Sequence, residues 1–400
     1  MPKIDEEKIK HLLERGVENI YPSKVFLEKL LRSGKKLTIY QGIDPTGQLH
    51  IGHSVPLRKL KEFQDLGHKI IVLIGDFTAK IGDPTDKSAA RVRLTDSQVK
   101  ENMKSYKKQI GSIIDFEGKN PAEFKLNSKW LGKLSFGEVV ELASNFTVQQ
   151  MIIRDSFDKR IKEGKPVYLH EFLYPLMQAY DSVFMDVDGE IGGNDQTFNM
   201  LSGRDLMKAL KGKDKFVLTT KLLVDSTGKK MGKTEGNTVS LSDSPEEMFG
   251  KVMSWSDEMI LPGFDVLTNL SEGSIKIFRE ALEKGENPRN IKFKLAEEVV
   301  EVFYGQEKAL VAGKAFNKQF KEGKKPDEIE ERKVKQKMVN IVDLVFDLEL
   351  ASSKGEARRL VEQGGIKIDD AKITNREAVI GIRDGMIIQA GKRKFVKIKN

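Results

Sequence analysis

Along the first 240 residues apolar positions alternate between helical and extended spacing. Between Glu6 and Arg32 they recur as Ile9, Leu12, Leu13 and then Val25, Phe26, Leu30, which predicts helix with a break at Tyr21-Pro22. Leu37 and Ile39 open an extended run, after which Leu57, Leu60 and Phe63 share one helical face. Lys69 to Ile74 is apolar after its first residue and reads as a strand buried on both faces. Helices over 96–113 and 137–146, a strand at Glu190-Ile191, a helix over 196–210 and a strand over 216–224 continue the alternation. This order predicts an α/β fold, a parallel sheet covered by helices, with ligands at the carboxyl ends of its strands.

Past Leu241 the rhythm becomes helical, with apolar stripes such as Ile275, Phe278, Leu282 and Ala296, Val299, Val300, Phe303. Residues 321–335 are highly charged with almost no core-forming side chains, which predicts a linker. Two short helices (341–348 and 354–363) and short strands (366–368, 386–388, 395–398) follow, predicting a small α+β domain. The expected division is 1–238, an α-helical domain over 239–320, a linker over 321–336, and 337–400.

Composition narrows the chemistry. There is no cysteine among 400 residues, so disulfides and thiol nucleophiles are excluded, and the five histidines show no metal-ligand spacing. No stretch approaches the roughly 20 apolar residues of a membrane span, and the N-terminus lacks an apolar signal core, so the cytoplasm is the expected location. Net charge is +8, and half of that excess lies in residues 337–400, which carry 13 basic and 9 acidic side chains. Such an imbalance points toward a polyanionic partner.

Two strings carry the candidate chemistry. The run Tyr40-Gln41-Gly42-Ile43-Asp44-Pro45-Thr46-Gly47-Gln48-Leu49-His50-Ile51-Gly52-His53 leaves a strand and ends where a helix begins. Small residues such as Gly52 permit close backbone approach, and a helix N-terminus, the Thr46 hydroxyl and the His50 and His53 imidazoles together suit a phosphate. The second string, Val224 to Asn237, contains Lys230-Met231-Gly232-Lys233-Thr234. It is not a Walker loop, because Gly228 and Gly232 enclose three residues where four are required. A lysine-bearing loop can instead close over a polyphosphate and neutralise charge that grows in a transition state.

Together these strings resemble the HIGH and KMSKS signatures of class I aminoacyl-tRNA synthetases, the second departing from consensus at Gly232 and Thr234. Ile81-Gly-Asp83-Pro, Tyr174-Pro-Leu-Met-Gln178-Ala-Tyr-Asp181 and Ile191-Gly-Gly193-Asn-Asp195-Gln196 narrow the resemblance to the bacterial tyrosyl-tRNA synthetase family over nearly the whole chain. The resemblance implies a Rossmann-like catalytic domain, a helical anticodon-region domain and, from the pattern around Lys354, Arg358 and Arg359, a C-terminal RNA-binding domain like one of the small ribosomal subunit. It also implies a homodimer, with Leu169 near the interface.

By the same resemblance, Thr46, His50, His53, Lys87, Arg91, Lys230, Lys233 and Thr234 are expected to act on the polyphosphate of ATP, with magnesium carried by the nucleotide and no tightly bound cofactor. Gly42, Asp44, Gly52, Gly193, Asp195, Gln196 and Lys233 are expected around ATP. Asp83, Tyr174 and Gln178 are expected at the α-amino group of tyrosine, and Tyr40 with Asp181 at its phenol. Spacing alone places Tyr174, Gln178 and Asp181 on one helical face. A site built to hydrogen-bond a hydroxyl rejects the analogue lacking it, and tyrosyl enzymes are the standard example. Where many relatives carry cysteine, this chain has Gln41. Two other readings remain open: another ligase of the superfamily, such as a tryptophanyl enzyme, or a non-catalytic RNA-binding protein that keeps the fold.

Overall fold

The computed structural model describes residues 4–83, 94–152, 155–224, 238–321, 329–334, 336–351, 353–391 and 394–399. These form two units, Met1–Gly313 and Lys314–Asn400.

In the first unit, six strands make one sheet: β1 (Val17–Tyr21), β2 (Thr38–Ile43), β3 (Lys69–Ile74), β4 (Glu123–Leu126), β5 (Gly189–Gly193) and β6 (Phe216–Thr220). Their order is β1-β6-β5-β2-β3-β4, with β1 antiparallel at the edge and the other neighbours parallel. The chain leaves β2 toward β3 on one side and returns to β5 on the other, so the crevice above β2 and β5 is the topological switch point.

The pleat decides what each side of the sheet buries. Ile39 and Ile43 of β2, with Ile70, Val72 and Ile74 of β3, pack with Leu57, Leu60 and Phe63 of the helix Ile51–Asp65. Tyr40, Ile71 and Leu73 face the opposite side, against Trp130, Leu131 and Val187. Each fully buried Leu, Ile or Phe contributes roughly 1.5–3 kcal/mol, so strands apolar on both faces hold the sheet between two helical layers.

Several elements differ from expectation. Residues 17–21, expected within helix, form β1, and Glu123–Leu126 forms the unpredicted β4; both are edge strands whose mixed polarity hides the pattern. The helix expected over 96–113 is two, Asp96–Met103 and Tyr106–Ile110. Residues 239–313 are helical, but they do not stand apart as a unit. Arg15 donates to the carbonyls of Phe264, Asp265 and Thr268, and Arg58 donates to Thr268 and Asn269, tying this region to the first helices.

The second unit holds the five-stranded sheet β10-β9-β12-β13-β7 and the pair β11-β8. Its strands are β7 (Glu330–Lys333), β8 (Met338–Asn340), β9 (Ile366–Ile368), β10 (Ala371–Ile373), β11 (Val379–Gly381), β12 (Ile387–Ala390) and β13 (Lys394–Lys399). Thus part of the expected linker is a strand. β7 runs parallel to β13, and Glu331 pairs with Lys397 at 2.9 Å and Lys399 at 2.7 Å. Those two ammonium groups, Lys399 foremost, hold its carboxyl down at about 2. Charge pairing across the ladder, rather than an apolar face, makes this strand.

His68 gives the first unit a pH dependence. It is 1% exposed, its Nδ1 accepts from Leu37 N at 3.3 Å, and burial, reinforced by Lys36, pushes its pKa down to about 4. The neutral ring is therefore the folded form, while the unfolded chain takes up a proton near pH 6.5. Stability from this residue is complete above about pH 6.5 and falls as the pH drops toward 4, by up to roughly 3 kcal/mol. Urea midpoints measured across that range should fall for the native chain and flatten in His68→Gln; equal slopes would rule the residue out as the source.

Candidate functional site

The helix Ile51–Asp65 starts at the switch point with an unusual cap. His50 is its N-cap in extended conformation; its Nδ1 accepts from Gly52 N at 3.2 Å, while His53 Nδ1 accepts from His50 N at 3.2 Å. The rings lie 4.0 Å apart, tilted by 55°. The imidazoles thus form a reciprocal capping box rather than two side chains projecting independently from the first turn. Because each Nδ1 accepts a backbone N–H, each neutral ring carries its proton on Nε2 and can donate it to an anion at the positive end of the helix.

The residues after the second string meet the first. Ile51 N donates to Val239 O at 2.8 Å and Leu241 N to Leu49 O at 3.0 Å, with a bridge between His50 and Ser240. The lysine-bearing string itself, with Lys230, Lys233 and Thr234, lies outside the described residues, as do Lys87 and Arg91.

Beyond β2, Asp44 accepts from Tyr174 Oη at 2.9 Å and from Thr78 Oγ1 at 2.8 Å. Gly75 makes this possible, since a Cβ there would collide with both Asp44 Oδ1 and Thr78 Oγ1. Thr78 in turn accepts from Asn127 Nδ2 at 3.2 Å. Across the crevice Gln196 Nε2 donates to Asp83 at 2.7 Å, and a Cβ on Gly193 would come within 2.5 Å of the Asp195 carboxylate. Thr46 lies in the loop between, its N–H bonded to Asp44 O at 2.8 Å. Gly42 is exposed at the end of β2. Gln41 is buried, and its Oε1 has no hydrogen-bond partner among the described residues.

Below this rim lies a buried polar cluster between the sheet and the helix Leu169–Met185. Asp181, 2% exposed, accepts from Trp130 Nε1 at 2.7 Å and Asn127 Nδ2 at 3.2 Å. Burial drives its pKa well above the usual carboxylate range; the two donors oppose that shift, and Glu190 and Asp44 add to it. Tyr40 is fully buried, with its Oη 3.0 Å from Ser182 Oγ. Burial first, then the fields of Glu190 and Asp181, raise its phenol pKa, so it stays protonated. Glu190, the register partner of Tyr40 on β5, accepts from Gln178 Nε2 at 3.0 Å and from buried Lys215.

Tyr174, Gln178 and Asp181 do share the inner side of one helix, but each meets a different partner: Asp44, Glu190 and the Asn127–Trp130 pair. Asp83, expected at the α-amino group with Tyr174 and Gln178, accepts from Gln196. Sequence reasoning missed Thr78, Asn127, Trp130, Ser182, Glu190 and Lys215. Two of these carried a signal, since a glutamate inside a glycine- and isoleucine-rich strand and a lysine directly before an apolar one are charges where burial is expected.

In the second unit, the helix Lys354–Glu362 buries Ala357 and Val361 and exposes Lys354, Arg358 and Arg359. Lys354 is partly neutralised by Asp343 at 2.6 Å, whereas the two arginines have no ion pair among the described residues.

Comparison with known proteins agrees with this architecture. Residues 32–321 match the family described as tRNA synthetases class I (W and Y), which makes the chain a class I aminoacyl-tRNA synthetase. Residues 319–398 match the tyrosine–tRNA ligase SYY-like C-terminal domain. The chain is 41% identical to the tyrosine–tRNA ligase of Moorella thermoacetica over 404 residues, covering 99% of this chain and 97% of that one. It is 42% identical to that of Thermotoga maritima over 396 residues, covering 98% and 97%. It belongs to the tyrosine–tRNA ligase family. Among solved structures, a C-terminally truncated mitochondrial tyrosyl-tRNA synthetase of Coccidioides posadasii aligns with TM-score 0.62 at 27% identity, covering 78% of this chain and 92% of that one. The fold is shared with the Archaeoglobus fulgidus enzyme, solved with L-tyrosine (TM-score 0.61, 24% identity, covering 77% and 99%).

Proposed function

We propose that this tyrosine–tRNA ligase activates tyrosine with ATP at the switch point, its phenol at the cluster of Tyr40 and Asp181 and its carboxylate toward the His50 helix start. The observation that carries the reading is that cluster: a buried phenol and a buried carboxylate in the same unit as the His50-capped helix that follows β2. The tyrosine carboxylate attacks the α-phosphorus of ATP, the bond to pyrophosphate breaks, and tyrosyl-adenylate forms. A hydroxyl of the terminal tRNA adenosine then attacks the acyl carbon and releases AMP.

The carboxylate is already a competent nucleophile, so the first step needs alignment and charge stabilisation rather than a general base. His50 and His53 donate through Nε2 to the phosphates, with Thr46 beside them. Lys87, Arg91, Lys230, Lys233 and Thr234 neutralise the leaving pyrophosphate. Magnesium enters bound to the polyphosphate as part of the substrate. Gly42, Asp44, Gly52, Gly193, Asp195 and Gln196 line the nucleotide and α-carboxylate region, where Gln41 Oε1, without a partner among the described residues, is available to a ribose hydroxyl. Asp83, Tyr174 and Gln178 receive the α-ammonium group, exchanging their present partners for it.

The helical segment over residues 239–320 serves the anticodon region, and Lys354, Arg358 and Arg359 contact RNA phosphates, which position the tRNA more than they read it. The enzyme acts in the cytoplasm; among the described residues no helix is long and apolar enough to cross a membrane. A homodimer is supported by the exposed apolar side chains Phe136, Val140, Leu169 and Phe184 of the first unit, with Phe136 84% and Leu169 82% exposed. Sedimentation at micromolar concentration should give the dimer mass; a monomer would discard this part of the reading.

The decisive assay is amino-acid-dependent ATP–pyrophosphate exchange with tyrosine, tryptophan and phenylalanine. Tyrosine alone should support efficient exchange, and equal exchange with tryptophan would overturn the phenol-binding role of the cluster. Because β7 belongs to the second unit, the clean truncation follows Lys321 rather than residue 336. That truncated enzyme should keep tyrosine-dependent exchange and lose tRNA charging; loss of both would place the catalytic boundary elsewhere.

A further inference from the structure

Lys215 is wholly buried one residue before β6, and its ammonium donates both to Glu190 and, at 2.9 Å, to Ser182 Oγ. Its Nζ also lies 5.8 Å from the Tyr40 ring centroid. The helix Thr197–Lys211 carries Gly203 opposite this cluster, where a Cβ would come within 2.6 Å of Nζ and 2.9 Å of Ser182 Oγ. The packing is thus arranged to admit a buried cation, which the substrate roles above do not use.

The consequence is one of hydrogen-bond direction. Ser182 is fully buried, and its hydroxyl meets Lys215 Nζ and Tyr40 Oη. An ammonium only donates, so of these two neighbours only Tyr40 Oη can accept the single Ser182 proton. Satisfying that buried proton leaves Tyr40 with its own proton to give. Glu190 faces the same phenol and, although it already accepts from Gln178 Nε2 and Lys215 Nζ, its carboxylate has lone pairs left for the Tyr40 proton, so bound tyrosine competes with Glu190 for that proton.

We propose that Lys215 is a positioning residue for amino-acid recognition: it orients the chain Lys215→Ser182→Tyr40 so that Tyr40 donates to the substrate phenol oxygen while Asp181 accepts the phenol proton. This rests on the reading that Tyr40 and Asp181 hold the tyrosine phenol. Without the ammonium, the Tyr40–Ser182 bond can reverse, Tyr40 donates inward, and the cluster loses its demand for a substrate oxygen. Phenylalanine, which offers the Tyr40 proton no oxygen in the native site, is then disfavoured less relative to tyrosine.

The test uses the full-length chain in ATP–pyrophosphate exchange, with kcat/KM measured for tyrosine and for phenylalanine. The double variant Lys215→Met/Glu190→Gln removes both charges and leaves neither buried alone, with Glu190→Gln by itself as the control. Its tyrosine-to-phenylalanine ratio should fall about tenfold, the worth of one hydrogen bond, with the KM for ATP unmoved. Ser182→Ala, which keeps the ion pair, should show the same fall, and adding it to the double variant should cost nothing further. An unchanged ratio in either variant, including equal losses for both amino acids, overturns the proposal; if the double variant fails to fold, Ser182→Ala decides. Tyr40→Phe separates the two levels. If it leaves the ratio intact, the phenol-binding reading itself fails; if it collapses the ratio while Ser182→Ala does not, only the role of Lys215 fails.

Discussion

Keeping charge in a dry interior is the constraint around which the catalytic unit is built. Asp181, Glu190 and Lys215 are each at most 2% exposed, and all lie between the sheet and the helix Leu169–Met185. An ion removed from water costs several kcal/mol unless opposite charge and hydrogen bonds replace the lost hydration, and stripping one partner from such a pair costs about 3–5 kcal/mol. Each group here is compensated in its own way. Lys215 and Glu190 neutralise one another, with Ser182 and Gln178 taking the remaining directions. Asp181 has donors from Asn127 and Trp130 but no ion pair among the described residues, and burial raises its pKa. A carboxylate in that condition gains from any further donor, and a phenol supplies one.

The rim of the site follows a different logic, set by backbone geometry. Parallel strands end together, so Asp44, Asp76, Asn127 and Gly193 all leave the sheet on one side, and the helix beginning at Ile51 presents its N-terminus there. Two histidines satisfy that terminus from within, each accepting a backbone N–H through its Nδ1. Glycine appears where chains must approach closely: Gly75 lets Asp44 reach Thr78, and Gly193 leaves room for Asp195.

Much of the architecture was legible in the chain. The apolar runs of β2 and β3 and the helical stripe of Leu57, Leu60 and Phe63 are strong because both their faces or one full stripe are buried. The strands β1, β4 and β7 were illegible for the converse reason: they lie at sheet edges, and β7 is held by Glu331 between two lysines, a pattern that reads as linker until its partner strand is known. In the site, the helical spacing of Tyr174, Gln178 and Asp181 was readable, but their partners were not. Asp44 lies 130 residues from Tyr174, and Asn127 lies 54 from Asp181.

The sequence by itself determined the class of chemistry: a histidine-bearing helix start after the second strand, a lysine-bearing string far along the chain, and a phenol and carboxylate of the kinds that suit a hydroxyl. Those features are local, carried by neighbouring residues and by periodicities of two and 3.6. Only the tertiary structure decided which groups are dry and which proton points where. The Lys215–Ser182–Tyr40 chain joins three elements, with Ser182 142 residues from Tyr40 and Lys215 a further 33 along, and its direction exists only because burial removes water as an alternative partner. Sequence spacing cannot encode that, since desolvation is a property of what packs around a group rather than of the group's own neighbours.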